Sequence, residues 1–298
     1  QPGSPLLPVK RQLIEIPAGA NPIVRIVSYD VTEYDLSGLG IKHKLFPAQP
    51  PHSKSEDFHE FIYDPAAYEN DSYGEKEIVS IEVLGIMRGV NIARIDIAAV
   101  KYNPVQHKIK VYNNIKFDVD FEGADVAKTI AQKAKNASPY FKALNTQLMN
   151  RYEMPANRDN FMRYPIKYVI VSDPMFESQL QPFIEWKTKK GFTVIEAYTD
   201  DPNVGTTTTS IKAYLQGLYD NGTPDDPAPS FVLFVGDVDQ IPAWSGNAGY
   251  HASDLYYCEY TNDYFPEVYY GRFSAETTDE LQPQIDKTLQ YEKYQMPD

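Results

Sequence analysis

Three kinds of side chain in this sequence have the chemistry to act on a ligand. The first is a thiol, Cys258, with His251 seven residues upstream. A cysteine nucleophile needs a base in contact and donors for the oxyanion. Cys258 instead follows Leu255-Tyr256-Tyr257, an apolar tyrosine-rich run, and reads as a small core side chain. The second is a set of oxygens: Asp237 closes an apolar strand, while Asp263 and Glu267 flank the tight Tyr264-Phe265-Pro266 turn. Hard cations take about six to eight oxygens from carboxylates and carbonyls, and the Phe265 carbonyl is placed to join these three acids. The competing reading is a solvated acidic turn closed by local hydrogen bonds. The third is basic. Arg151, followed by Tyr152, opens a polar stretch that suits proteolysis, and Lys54 sits in Ser53-Lys54-Ser55-Glu56 of a long unpatterned loop. The run Lys187-Thr188-Lys189-Lys190 marks a helix end, where cations are favoured, and implies no ligand.

The elements that must hold these residues change character along the chain. Up to residue 125 the pattern is sheet. Arg11–Ile16 and Ile23–Val27 are short β-branched runs, and Ile78–Ile97 stays strand-like with a bulge expected near Ala93. Ile109 and Val111 alternate with lysines, and Ile115, Phe117, Val119 and Phe121 alternate with polar residues, so a hairpin turning at Asn113-Asn114 is expected. Pro47–Asp71, rich in Pro, Ser, His and acids, is a long loop of the kind that carries function. The segment from Pro139 to Arg151 predicts a helix capped by Ser138, and Tyr152–Arg163 a linker. Beyond Ile166 strands and helices alternate. Tyr168–Val171, Val194–Tyr198, Phe231–Val235 and Glu267–Phe273 are the strands; Met175–Lys190, Thr209–Asp220 and a helix opened by Thr277 and Glu280 lie between or after them. This order predicts a mostly parallel sheet with helices on its faces.

Composition narrows the function. The 298 residues carry a net charge of −13, which repels phosphate backbones and anionic lipid and excludes nucleic acid as a partner. No apolar run reaches the roughly 20 residues of a membrane-spanning helix. A single cysteine allows no intrachain disulfide, so the redox compartment is silent. Nothing resembles a glycine-rich phosphate loop, which argues against a dinucleotide enzyme or an NTPase. A first residue of Gln rather than Met suggests that an upstream segment, such as a signal peptide, has been removed.

Particular strings then stand out. Trp186–Phe192, Val204–Thr207, Ser210–Ala213, Val235-Gly236-Asp237, Asp254–Tyr257 and Asp263–Glu267 resemble the start of the catalytic domain of the gingipain family, as do Tyr291–Lys293 and Met296–Asp298. Met87-Arg88-Gly89-Val90, Tyr112–Ile115 and Ser138–Phe141 resemble the same family's prodomain, with the lysine-specific branch nearer than the arginine-specific one. The resemblance implies a secreted bacterial cysteine endopeptidase with a caspase-like fold. Residues 1–151 would be an all-β, sandwich or jelly-roll-like prodomain, and 152–298 the first part of the α/β catalytic domain. It also implies that the catalytic Cys and His lie downstream, leaving this chain without catalytic residues. A structural calcium is implied at Asp237, Asp263, Phe265 and Glu267, with Thr261 where the lysine-specific relative has an Asp. The prodomain would be cut away between Arg151 and Tyr152, and Lys54 would mimic a substrate lysine in the cleft. Partners would be protein substrates and the chain's own catalytic domain. The rival readings are a sortase-like processing peptidase of the same secretion system and a non-enzymatic inhibitor or binding module.

Overall fold

The computed structural model describes residues 1–51, 60–150, 164–246 and 251–295. Lys54, Arg151 and Tyr152, and the expected linker up to Arg163, lie outside the described residues.

The chain forms two compact units. The first comprises residues 1–14, 19–83 and 93–124; the second comprises 15–18, 84–92 and 125–298. Residues 125–150 and two short stretches of the β-rich half group with the second unit.

The β-rich half contains β1 (Lys10–Ile16), β2 (Asn21–Asp35), β3 (Val79–Met87), β4 (Val90–Ile97), β5 (Val100–Asn103) and β6 (Lys108–Glu122). They make two three-stranded sheets, ordered β1-β4-β3 and β2-β6-β5. The expected hairpin at Asn113-Asn114 does not form. Instead β6 runs through these residues as one strand and pairs antiparallel with β2 from Asn21↔Glu122 to Asp35↔Lys108. The alternation that suggested a turn marks an irregularity: the register shifts on either side of Ser28, opposite Asn113–Lys116, and Asn114 sits at φ 52. Asn tolerates that left-handed conformation, which a bulge requires as readily as a turn does.

The long continuous stretch of the second unit opens with α1 (Val126–Lys135), capped by the Asp125 carboxylate, which accepts the Lys128 N–H. A single 3-10 turn (Pro139–Phe141) and a four-residue helix to Asn145 replace the long helix expected from Pro139. Then follow β7 (Ile166–Ser172), α2 (Glu177–Lys189), β8 (Phe192–Tyr198), α3 (Thr208–Asp220), β9 (Phe231–Val235), β10 (Tyr269–Phe273) and α4 (Thr278–Glu292). The four strands form a parallel sheet, ordered β10-β9-β7-β8. Period-two alternation sends Val169, Val171, Val232 and Phe234 into one core with Ile211 and Leu215 of α3. Ile170, Leu233 and Val235 enter the other core, with Leu180 and Phe183 of α2 and Leu281 and Ile285 of α4. Both faces are thus covered, as a parallel sheet requires. No described helix is long and apolar enough to cross a membrane.

One polar node joins α2 to α4. The Glu292 carboxylate accepts from Lys187 Nζ at 2.6 Å, Trp186 Nε1 at 2.9 Å and Lys190 Nζ at 3.0 Å. Lys187 is only 7% exposed, with its ammonium against the rings of Phe183, Tyr168 and Phe192. Burial pulls its pKa below the ordinary lysine value, and the Glu292 contacts oppose that shift. Removing one partner of such a pair strands a buried charge. Glu292→Ala is therefore expected to cost about 3 kcal/mol in urea unfolding, whereas Lys187→Met with Glu292→Leu costs less than about 1 kcal/mol. Equal losses from the two would contradict this account.

Candidate functional site

Open parallel sheets place their chemistry at the carboxyl ends of the strands. Here that edge is organised by Arg272 of β10. Its guanidinium binds Asp254 through two bonds of 2.9 and 2.7 Å and donates to the carbonyls of Gly236 and Ile241, each at 2.9 Å. The loop after β9 is thereby fixed to the next strand, helped by the Asp237 N–H donating to Ala275 O at 2.9 Å. Asp237 lies on this edge, and its carboxylate accepts the Val238 N–H at 2.8 Å. Arg272 was not singled out in the sequence, although a lone arginine inside an apolar strand is a signal for a buried, fully used guanidinium.

Glu267 lies at the other end of the sheet. Tyr269 pairs with Phe231 and Phe273 with Val235, so Glu267 precedes the strand starts while Asp237 follows the strand ends. Roughly 13 Å of strand intervenes. The expected set of Asp237, Asp263, Phe265 and Glu267 therefore cannot surround one ion; only the last three come together.

That remaining turn is closed by donors from the protein. Asp263 accepts the Phe265 N–H on Oδ1 and the Ile86 N–H on Oδ2, both at 2.7 Å. Glu267 accepts the Tyr260 N–H on Oε2 at 2.8 Å. The Thr261 hydroxyl lies 2.8 Å from Glu267 Oε1 and 3.0 Å from Asp263 Oδ2, one proton between two carboxylates. Glu259 accepts the Asp263 N–H at 3.0 Å. Glu267 is wholly buried, and that burial pushes its pKa up to about 7 against the two hydrogen bonds that favour its charged form. With its carboxylate oxygens answered by N–H and O–H groups, the turn does not fit a calcium ion in this arrangement. Among the described residues no group of three His, Cys, Asp or Glu side chains is disposed to hold a metal. Cys258 is 0% exposed in the core with Val268 and Tyr260, and burial raises its thiol pKa, so it stays a neutral thiol.

The donor to Asp263 comes from a distant part of the sequence. Between β3 and β4 the chain reverses at Arg88 (φ 52) and Gly89 (φ 73). Two successive positive φ values fit a tight turn of the kind favoured in two-residue hairpins. Residues 84–92, which include this tip, belong to the second unit. Gly85 passes so close to Asp263 that a Cβ there would lie 2.5 Å from Oδ2. Arg88 is 3% exposed. Its Nε donates to Asn136 O at 2.8 Å and its Nη2 to Ala228 O at 2.6 Å; Nη1 serves Pro229 O and, at 3.2 Å, Glu267 O. Burial lowers its pKa to about 10, which leaves it charged at neutral pH, and its Cζ faces the Phe141 ring at 5.2 Å.

A second contact lies beside it, at the amino ends of the parallel strands. Tyr140 packs on Phe192 and Phe231, with centroids 5.7 and 4.8 Å apart, and Phe141 stacks on Tyr269 at 4.4 Å. The Ser230 hydroxyl donates to Ser138 Oγ at 2.9 Å, and the Tyr269 hydroxyl to Tyr140 O at 3.3 Å. Met87–Val90 and Ser138–Phe141, two of the strings that carried the family resemblance, thus meet on one edge of one sheet.

The hairpin tip at residues 84–92 and the stretch 138–141 both belong to the second unit, with the parallel sheet. Residues 1–153 match the model of the C25 propeptide, and residues 162–298 match the model of peptidase family C25. The chain belongs to peptidase family C25. It is 41% identical over 298 residues to Lys-gingipain of Porphyromonas gingivalis, covering 99% of this chain and 17% of that protein. Gingipain R2 of the same organism is 25% identical over 293 residues, covering 98% of this chain and 38% of that protein. The chain therefore spans about a sixth of the length of the Lys-gingipain relative it matches. Among solved structures, one described as giving insight into zymogenic latency of gingipain K from P. gingivalis is 43% identical, covers 42% of this chain and 69% of its own, and gives a TM-score of 0.39.

The closed acidic turn has a direct consequence for metal dependence. The melting temperature of the chain is expected to differ by less than about 1 °C between millimolar calcium and chelator, because no ligand-linked stabilisation arises while the Ile86 and Phe265 N–H groups hold the Asp263 carboxylate. A rise of several degrees that Asp263→Asn abolishes would restore the ion.

Proposed function

We propose that the chain is the latent portion of a secreted cysteine endopeptidase that cleaves after basic residues, lysine foremost. In this reading the propeptide keeps the peptidase inactive and assists its folding, and the Arg151–Tyr152 bond is the point of release. Lys54 would serve as the substrate mimic that blocks the cleft, and the nucleophilic Cys and its His would follow downstream of residue 298. The observation that carries the reading is the shared second unit. Residues 15–18, 84–92 and 125–150, all within the propeptide match, fold with the peptidase residues, as a precursor in its uncut state requires. Lys-gingipain, the relative at 41% identity, supplies the preference for lysine. Calcium binding at Asp263 and Glu267 belongs, in this reading, to a state in which the Ile86 N–H has left Asp263.

Mass spectrometry of the full-length secreted precursor, followed beside hydrolysis of Lys- and Arg-peptides, tests this. Loss of a fragment ending at Arg151 is expected to accompany rising Lys-peptide cleavage. A precursor whose mass never changes and which cleaves neither peptide would refute it.

A further inference from the structure

Among the described residues β2 is the edge of the sheet β2-β6-β5, running 15 residues from Asn21 to Asp35 with β6 on one side only. An edge strand offers a row of unpaired N–H and C=O groups, which proteins usually blunt by shortness, lysine, proline or a covering element. β2 uses little of this. Every residue from Arg25 to Asp35 is exposed, and that run holds no lysine and no proline. Only the irregularity at Ser28 interrupts it, and the register with β6 is the same on either side, Val24↔Val119 before it and Val31↔Tyr112 after it. The alternation therefore carries through, and Arg25, Val27, Tyr29, Val31 and Glu33 share one face.

On β6 that face is polar at both ends of this stretch, with Asp118 opposite Arg25 and Lys110 opposite Glu33. On β2 its centre is apolar: Val27 is 59%, Tyr29 45% and Val31 52% exposed. Opposite charges bound the stripe, Arg25 at one end and Glu33 at the other. Each has an exposed neighbour on its own sheet, Asp120 at 2.6 Å from Arg25 and Lys108 at 3.1 Å from Glu33. Pairs of this exposure hold their partners weakly and leave both charges open to a further one.

Such a strand is complementary to itself. A two-fold axis through Tyr29, perpendicular to the sheet, pairs β2 antiparallel with a copy of itself and keeps the two outer faces on one side. Arg25 then faces Glu33 of the second copy, Val27 faces Val31, Ser28 faces Asp30, and Tyr29 faces its own equivalent. No like charges meet. Moving the axis to Asp30 sets Asp30 against Asp30 and Val27 against Glu33. Moving it to Ser28 sets Arg25 against Val31 and Ile26 against Asp30. We infer that β2 is a self-association surface, through which two copies of this chain join their β2-β6-β5 sheets into one continuous sheet. Main-chain bonds supply the affinity, and the alternate side chains fix the register. The contact is one strand wide, far below an obligate interface, so the dimer is reversible with a dissociation constant on the order of micromolar. All of its residues lie in the first unit, and it does not depend on the peptidase reading.

Sedimentation equilibrium of the full-length precursor, kept whole by a cysteine-peptidase inhibitor, tests this between about 1 and 100 µM. The parent is expected to form a concentration-dependent dimer. Arg25→Glu sets like charges opposite each other twice per dimer, and at least roughly 10-fold weaker dimerisation is expected. Arg25→Glu combined with Glu33→Arg restores opposite charges and is expected to return within about threefold of the parent. Val27→Lys puts a lysine at the centre of the edge and is expected to weaken the dimer at least roughly 10-fold. These side chains are exposed, so each variant is expected to keep the parent's fold. A parent that stays monomeric throughout would overturn the inference, and so would a dimer that Arg25→Glu and Val27→Lys leave unchanged. Weakening by Arg25→Glu without recovery in the double variant would overturn the register. A monomer whose amides 26–35 resist hydrogen exchange would assign the edge to another segment or partner, and would overturn it equally.

Discussion

A guanidinium taken out of water costs several kcal/mol unless its N–H groups find acceptors. Arg88 meets that demand with backbone carbonyls from residues 136, 228, 229 and 267, and the rest of the second unit is arranged around the requirement. Asn136 must stand at the end of α1, Ala228 and Pro229 just ahead of β9, and Glu267 just ahead of β10. Three separate chain segments are held in register by one side chain. The same convergence explains why the tip carries Arg-Gly: the chain must reverse within two residues, and the Gly89 Cα runs against Asn136, where a Cβ would lie 2.7 Å from Nδ2.

The parallel sheet thus has two differently used edges. Its amino end is filled by aromatic rings, Tyr168, Phe192, Phe231 and Tyr269, which give the 138–141 stretch a broad apolar floor. Its carboxyl end is held by the polar clamp of Arg272 on Asp254, Gly236 and Ile241, which orders the loop after β9. One end is built to bind another part of the chain, the other to present loops. Two arginines set the two ends, Arg88 held by backbone carbonyls and Arg272 by the Asp254 carboxylate together with the carbonyls of Gly236 and Ile241.

Much of this was legible in the residues. The alternation of apolar strands with amphipathic helices after Ile166 fixed the parallel sheet, because both faces of such strands must be apolar and the helices must cover them. Phe231–Val235 coincides with the strand observed. The acidic turn was legible as a cluster, and so was its alternative, closure by hydrogen bonds. Other features depend on register, which local pattern does not encode. Asn113-Asn114 has the same left-handed tolerance whether it turns or bulges, and only pairing with β2 decides for the bulge. Asp237 and Glu267 both flank strands of one sheet, yet a parallel pairing puts one at each end, a distinction invisible until the strand order is known. Arg88 could not be placed either, since its acceptors lie between 48 and 179 residues away and are backbone atoms without a sequence signature.

The central claim is that the hairpin tip at residues 84–92 belongs energetically to the peptidase sheet. Region-resolved hydrogen exchange of the full-length precursor across a urea series tests it most directly, since segments of one cooperative unit open together. The account predicts that amides of 84–92 become exchangeable at the same urea concentration as those of 266–273. Opening of 84–92 at lower urea, together with residues 21–35 of β2 and ahead of 266–273, would contradict it.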